Sequence, residues 1–308
     1  MASETRNSSC LSVKERREAR RAGEVSYALT MKALLHRLDP KAFPVGGDAS
    51  PIEAKAAKMA KTIKPRAFAK LQPLIENRTH QAAEFSRVID SARGLNLRGV
   101  VPRAAETELP AGATPQPRSF RNRLELFIRR LHCVDETNPE GGSDDMVLGG
   151  VLVGASGKTN VANTVIKTGF DDGEIKEINR TFGRYSLKST SVFPKDFLAV
   201  FKLIESDSIE EIVAANLEST LKTLAFTAEI LHTNAPPAQK PALVAQSVLT
   251  SVNLFYGTTH FPAKQVHVSL SGLVLSHDNE SGNLHTPDMR GHGGTYRIGY
   301  KWRFASGA

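Results

Sequence analysis

The chain has 308 residues, 40% of them apolar, enough for two domains or one large one with a sizeable core. It carries 40 Lys+Arg against 32 Asp+Glu, a net +8, and the excess lies early: residues 1–120 hold 21 basic and 12 acidic residues. Two cysteines do not make the disulfide framework of a small secreted domain, and no apolar run reaches membrane-spanning length.

The start, MASETRNSSC, has no apolar signal core, so a cytoplasmic protein is the expectation, with signal-less export left open. Residues 12–38 read as a helix with Val25, Leu29, Leu34, Leu35 and Leu38 on one face, ended by Pro40 and Pro44. GGDASP (46–51) is a break. Residues 52–93 read as one or two helices interrupted near Pro65 and Pro73, with Ile52, Ala56, Met59 and Ile63 at helical spacing. Residues 1–93 therefore form a basic helical N-terminal region, and residues 94–120 a Pro-rich linker. Such a region suits a protein partner or a polyanionic surface, including an anionic membrane. Before residue 100 its aromatics are Tyr27, Phe43, Phe68 and Phe85 alone, too few to interleave with the charge, so sequence-specific nucleic-acid binding is not expected.

From residue 121 the apolar period becomes two. RLELFI, MVLGGVLV, FLAVFKLIE, QVHVSLSGL and TYRIGYKWRF each read as strands, with a bulge expected at Gly149-Gly150. In the last, Tyr296, Ile298, Tyr300, Trp302 and Phe304 face inward while Arg297, Lys301 and Arg303 face water. Two apolar stripes interrupt the strands at 209–232 and 239–255, separated by NAPPAQKP, a firm stop. Residues 121–308 thus read as an antiparallel β-sandwich with a helical hairpin at 209–255 packed on one side, and the fold class as mainly β with α. This part is expected to keep its fold without the first 120 residues.

Several chemistries lack their signatures. GASGKTN (154–160) has Leu152 where a phosphate-binding loop needs glycine, so it reads as a turn between strands. RGHGG (290–294) has no accompanying Gly-x-Ser-x-Gly elbow and reads as a tight turn into the last strand. The cysteines and nine histidines fall in no zinc-ligand spacing. What remains is a set of acidic loops next to strands: CVDETNPEGGSDD, FDDGE, IESDSIEE and SHDNESGN. Ca²⁺ takes six to eight oxygen ligands, often from several loops. Asp135, Asp144, Asp145, Glu205, Asp207 and Asp278 are the candidate ligands, against the plain alternative that acidic residues populate any hairpin.

CVDETNPEGGSDDMVLGG, FPKDFLAVFKLIESDS and GHGGTYRIGYKWRF together resemble a largely uncharacterised bacterial family. The resemblance covers about residues 122–306. It implies a C2-like β-sandwich with an inserted helical hairpin, and no catalytic role. Asp135, Asp144, Asp145 and Asp207 are the positions it sets beside cation-binding loops, although the Asp-x-Asp pair of ordinary C2 domains is missing. The functional expectation is a non-enzymatic binding or assembly module of unknown ligand, with Ca²⁺ held by the acidic loops as the cofactor they would admit. The alternatives are a membrane-associating or effector-type protein using the basic arm or hairpin, and a metal-dependent hydrolase.

Overall fold

The structure, a computed structural model, describes residues 11–45, 51–93, 123–137, 143–187, 195–206, 210–257, 260–270, 284–291 and 293–305. Helix α1 (Val13–Leu38) starts at a capping box: Ser12 Oγ accepts from the Glu15 amide, and the Glu15 carboxylate accepts from the Ser12 amide. Three further helices follow, α2 (Pro51–Lys61), α3 (Pro65–Glu76) and α4 (Ala82–Arg93). Pro65 opens α3, where its missing N–H costs nothing, whereas Pro73 lies inside α3 and does not end it.

The strands form two antiparallel sheets. The first has the order β5 (Ile175–Ser186), β1 (Arg123–Asp135), β9 (Gly294–Ala305), β8 (Asp288–Gly291). The second has the order β3 (Thr159–Val161), β2 (Asp144–Val153), β6 (Lys195–Glu205), β7 (Lys264–Leu270), with β4 (Val165–Phe170) also pairing with β2. Between β6 and β7 the chain makes the hairpin of α5 (Glu210–Leu231) and α6 (Lys240–Tyr256). With 44% helix and 35% strand among the described residues, the fold is mixed α/β, not mainly β. The helical share comes from α1–α4 as well as the hairpin.

The layers explain the sequence of the central sheet. Met146, Leu148 and Leu152 of β2 and Phe197, Ala199, Phe201 and Leu203 of β6 point into the sandwich core with Trp302, Tyr296 and Ile298 of β9. The alternate residues Val147, Val151, Val153, Leu198, Val200 and Ile204 point to a second core shared with the helices. Both faces of the sheet are dry, so its strands read as apolar runs. The hairpin stripes pack there: Leu217, Leu221, Leu224, Val244, Val248, Val252 and Phe255 are fully buried.

The hairpin is covered on its other side by α1, whose Val25, Ala28, Leu29 and Leu35 belong to the same core. Small and hydroxylic residues allow the close approach. Ser26 Oγ lies 2.5 Å from Thr227 Oγ1, and Ser247 Oγ donates to the Ala19 carbonyl at 2.9 Å. A Cβ on Gly23 would come within 2.8 Å of the Ser247 carbonyl oxygen.

Gly149 and Gly150 do not form a bulge. The β2–β6 register runs through them unbroken, and the irregularity falls between Asp144 and Met146 in the pairing with β4. They serve close packing instead. A Cβ on Gly149 would lie 2.6 Å from Leu217 Cδ2 of α5, and one on Gly150 would lie 2.7 Å from the Val200 carbonyl oxygen. The two glycine-rich stretches are turns. In the first, the Gly157 amide donates to the Gly154 carbonyl, with Gly157 at φ 76°. In the second, Gly291 pairs with Gly294, and Gly293 has φ 82°.

Candidate functional site

The first and last strands of the sandwich place the acidic loop. Cys133 of β1 pairs with Tyr296 of β9, and a Cβ on Gly294 would meet the Asp135 carbonyl oxygen at 2.9 Å. The opening and closing motifs of this part of the chain are therefore neighbours in space. Tyr296 carries its hydroxyl under the loop and donates to Asp144 Oδ2 at 2.6 Å. Asp144 also accepts from the Thr137 amide at 2.9 Å and from the Thr137 hydroxyl at 2.8 Å. It is 4% exposed, so three hydrogen bonds spend most of its acceptor capacity on closing the loop.

The other expected ligands separate. Asp135 is exposed at the end of β1. Asp145 is half-buried and accepts from the Gly169 amide at 2.7 Å. Glu205 is half-buried on β6, opposite Met146, and the Ser206 amide donates to the Asp145 carbonyl at 2.8 Å. Asp207 and Asp278 lie outside the described residues. The β4–β5 turn, the FDDGE stretch, joins the group: Asp172 accepts from the Glu136 amide at 2.7 Å. Among the described residues, parts of three acidic loops thus meet at one end of the sandwich.

The charge there is partly uncompensated. Desolvation, and then the carboxylates of Asp172, Asp144, Asp171 and Asp135, push the Glu136 carboxyl above its usual value. One cation is already present. Lys176 donates to the Thr168 carbonyl at 2.5 Å and to the Gly169 carbonyl, and its ammonium is 3.3 Å from the Glu174 carboxylate. Among the described residues no group of three or more His, Cys, Asp or Glu side chains is placed to hold a metal ion.

Other buried reactive groups serve packing. Burial pushes the Cys133 thiol up to about 11, which keeps it protonated at neutral pH. His232 Nε2 lies 2.7 Å from Ser247 Oγ, and burial together with Lys240 pushes the imidazole down to about 4. Because Ser247 in turn donates to Ala19, this pair joins α5, α6 and α1. Lys202 of β6 is fully buried on the helical side, where it donates to the Phe261 carbonyl and sits 5.1 Å from the centre of the Tyr256 ring. Burial pushes its ammonium down to about 7.

Two charged groups escaped the reading of the sequence. Lys202 was legible as the one basic residue inside FLAVFKLIE. Glu125, the acidic residue of RLELFI, faces away from the sandwich core but is 4% exposed beneath Arg184 and Arg303.

The α2–α3 segment adds a second charged surface. Lys55, Lys58, Lys61, Lys64 and Arg66 are exposed. The nearest carboxylate in sequence, Glu53, is buried and accepts from Lys32 at 2.7 Å, while Glu76 is exposed at the far end of α3. Among the described helices none is long and apolar enough to cross a membrane. Comparison of the chain with protein-family models, curated proteins and solved structures gave no match.

Proposed function

We propose that this protein is a non-enzymatic binding or assembly module that engages a polyanionic or acidic partner through its basic helices. The observation that carries the reading is the five-cation surface over residues 55–66, a stretch without a carboxylate, beside which Glu53 is withdrawn into a buried ion pair. Lys64 and Arg66 also sit at the N-terminal end of α3, where the helix dipole disfavours cations. A bound anion would relieve that cost. The sandwich, in the same reading, is C2-like and belongs with the family that its end motifs resemble.

The test compares wild type with Lys55→Glu/Lys58→Glu/Lys61→Glu. Binding to polyglutamate, duplex DNA and anionic vesicles is measured across a salt series. Wild type should bind at least one of these, with affinity falling steeply as salt rises and lost in the triple variant. Binding that ignores both salt and charge reversal, or no binding to any of the three at low salt, would sink the proposal. Which probe wins decides between an acidic protein, a nucleic acid and a membrane.

A second reading is favoured by the meeting of acidic loops: the sandwich end takes up Ca²⁺ through Asp135, Asp145 and the β4–β5 turn. A resident ion would raise thermal stability by about 2.7 kcal/mol at a hundredfold excess over its dissociation constant. The gain should be absent in Asp135→Asn/Asp172→Asn. An unchanged melting temperature in millimolar Ca²⁺ would remove this reading without touching the first.

A further inference from the structure

Strand β5 forms one edge of the first sheet, and it is irregular where it leaves β1. Ile128 pairs with Arg180 and Arg130 with Glu177, so Ile178 and Asn179 together oppose Arg129. Leu126 pairs with Gly183 and Phe127 with Thr181, so Phe182 is an extra residue too. Two bulges within one short stretch re-aim the side chains of the edge. Asn179 has φ 49° and is the one non-glycine residue with positive φ among those described. Asparagine tolerates that conformation better than most residues.

The edge so shaped forms one wall of a cleft of about 660 Å³, within the size range of small-molecule sites. The rest of the lining is the β3–β4 connection, hydrogen-bonded to that edge, and Glu218 of α5. The connection is fixed: the Ala162 amide donates to Gly150, the Asn163 amide to Phe182, each at 2.9 Å, and Asn163 Nδ2 donates to the Thr181 carbonyl at 3.2 Å. The cleft needs no rearrangement to take a ligand.

Its polar groups are unevenly spent. Arg184 donates through Nε to Glu125 at 2.7 Å, leaving its two terminal nitrogens without a described partner. The same carboxylate accepts from Arg303, so one negative charge serves two guanidinium groups. Arg180 makes no ion pair or side-chain hydrogen bond with a described residue. Thr164 Oγ1 is a buried atom with no hydrogen-bond partner among the described residues. Glu218 alone among the lining residues supplies negative charge. Unspent donors outnumber acceptors, which selects for an acceptor-rich ligand.

From this geometry we infer that the cleft between the bulged β5 edge, the β3–β4 connection and α5 binds a small hydroxylated molecule bearing one phosphate or carboxylate group. Arg180 and the terminal nitrogens of Arg184 hold the oxyanion. Thr164 and Glu218 hydrogen-bond hydroxyl groups. The basic face of α2 and α3 is not needed for this site.

The test uses the full chain and four probes: glucose 6-phosphate, glucuronate, inorganic phosphate and glucose. Amide chemical shifts of residues 162–164 and 179–184 report binding, in wild type, Arg180→Gln, and Arg290→Gln as a surface control. Glucose 6-phosphate or glucuronate should shift these amides saturably, and glucose should not. Arg180→Gln should weaken binding at least about tenfold, as loss of a charge-assisted contact does, and Arg290→Gln should leave it unchanged. Thermal unfolding of Arg180→Gln should match wild type, since Arg180 is exposed. The inference fails if no probe shifts these amides at about 10 mM, the range of weak small-ligand affinity. It also fails if glucose binds as well as the acids, or if Arg180→Gln binds as wild type does.

Discussion

Replacing Lys202 by Met should stabilise the protein at pH 7. The native ammonium titrates at about 7, against 10.5 for an ordinary lysine. At about 1.4 kcal/mol per tenfold change in proton affinity, burying this group costs on the order of 4–5 kcal/mol at neutral pH. The sign follows from linkage. Above the ordinary lysine range neither folded nor unfolded chain is protonated, and the penalty vanishes. As pH falls toward 7 the unfolded chain takes the proton and the native chain does not, so the native state loses ground. Below 7 both are protonated and the penalty stays at its full size. Methionine fills a similar volume without the charge but leaves the buried Phe261 carbonyl without its donor, at a cost of about 1–3 kcal/mol. The net expectation is a gain of about 1–4 kcal/mol at pH 7. Urea unfolding of both proteins at pH 7, 8, 9 and 10 tests it, because every other titrating group cancels in the difference. The gap should shrink toward alkaline pH by up to about 1.4 kcal/mol per pH unit and reverse between about pH 8 and pH 10. Parallel stability curves would show that the ammonium is not the costly element and refute the reasoning.

Gly149→Ala should destabilise by about 1–3 kcal/mol through overpacking, since its Cβ would sit 2.6 Å from Leu217 Cδ2. Leu217→Ala in the same chain should recover part of that loss, and additive effects in a double-mutant cycle would break the assignment. A chain of residues 121–308 leaves Leu224, Val244 and Val248 without the α1 side of their shared core. It should unfold at lower urea than the full chain and bind a hydrophobic dye. Equal midpoints for the two would show that α1 adds no stability.

What the sequence disclosed depended on whether a face was wet. In β9 the alternation of Tyr296, Ile298, Tyr300 and Trp302 with Arg297, Lys301 and Arg303 was plain, because one face packs inward and the other is half-covered by solvated charges. The hairpin and α1 were legible from the helical spacing of their large apolar residues, although α1 is buried all round over residues 25–31. Strands β3, β4, β5 and β8 were not read. β5 has two bulges, which break the period of two, and β3 and β8 are only 3 and 4 residues long. The acidic loops were visible as composition, but their meeting was not. It depends on β2 pairing with β4, which draws FDDGE to Asp144 and Asp145, and pairing cannot be read from the composition of a loop.

The central sheet shows why exceptions carry more information than pattern. With both faces dry, an alternating residue on β2 or β6 is apolar whichever way it points, so periodicity says nothing about orientation. Gly149 and Lys202 break the pattern, and they are register partners on the helical side. The glycine lets Leu217 of α5 descend onto the strand backbone. The lysine sits beside that contact, with its ammonium directed to the Phe261 carbonyl and the Tyr256 ring. A sheet packed this way has no surface on which to build a binding site. Surface chemistry is therefore left to the edges and to the outer layers. That is where Arg180 and Arg184 line their cleft, where the acidic loops meet, and where the lysines of α2 stand exposed.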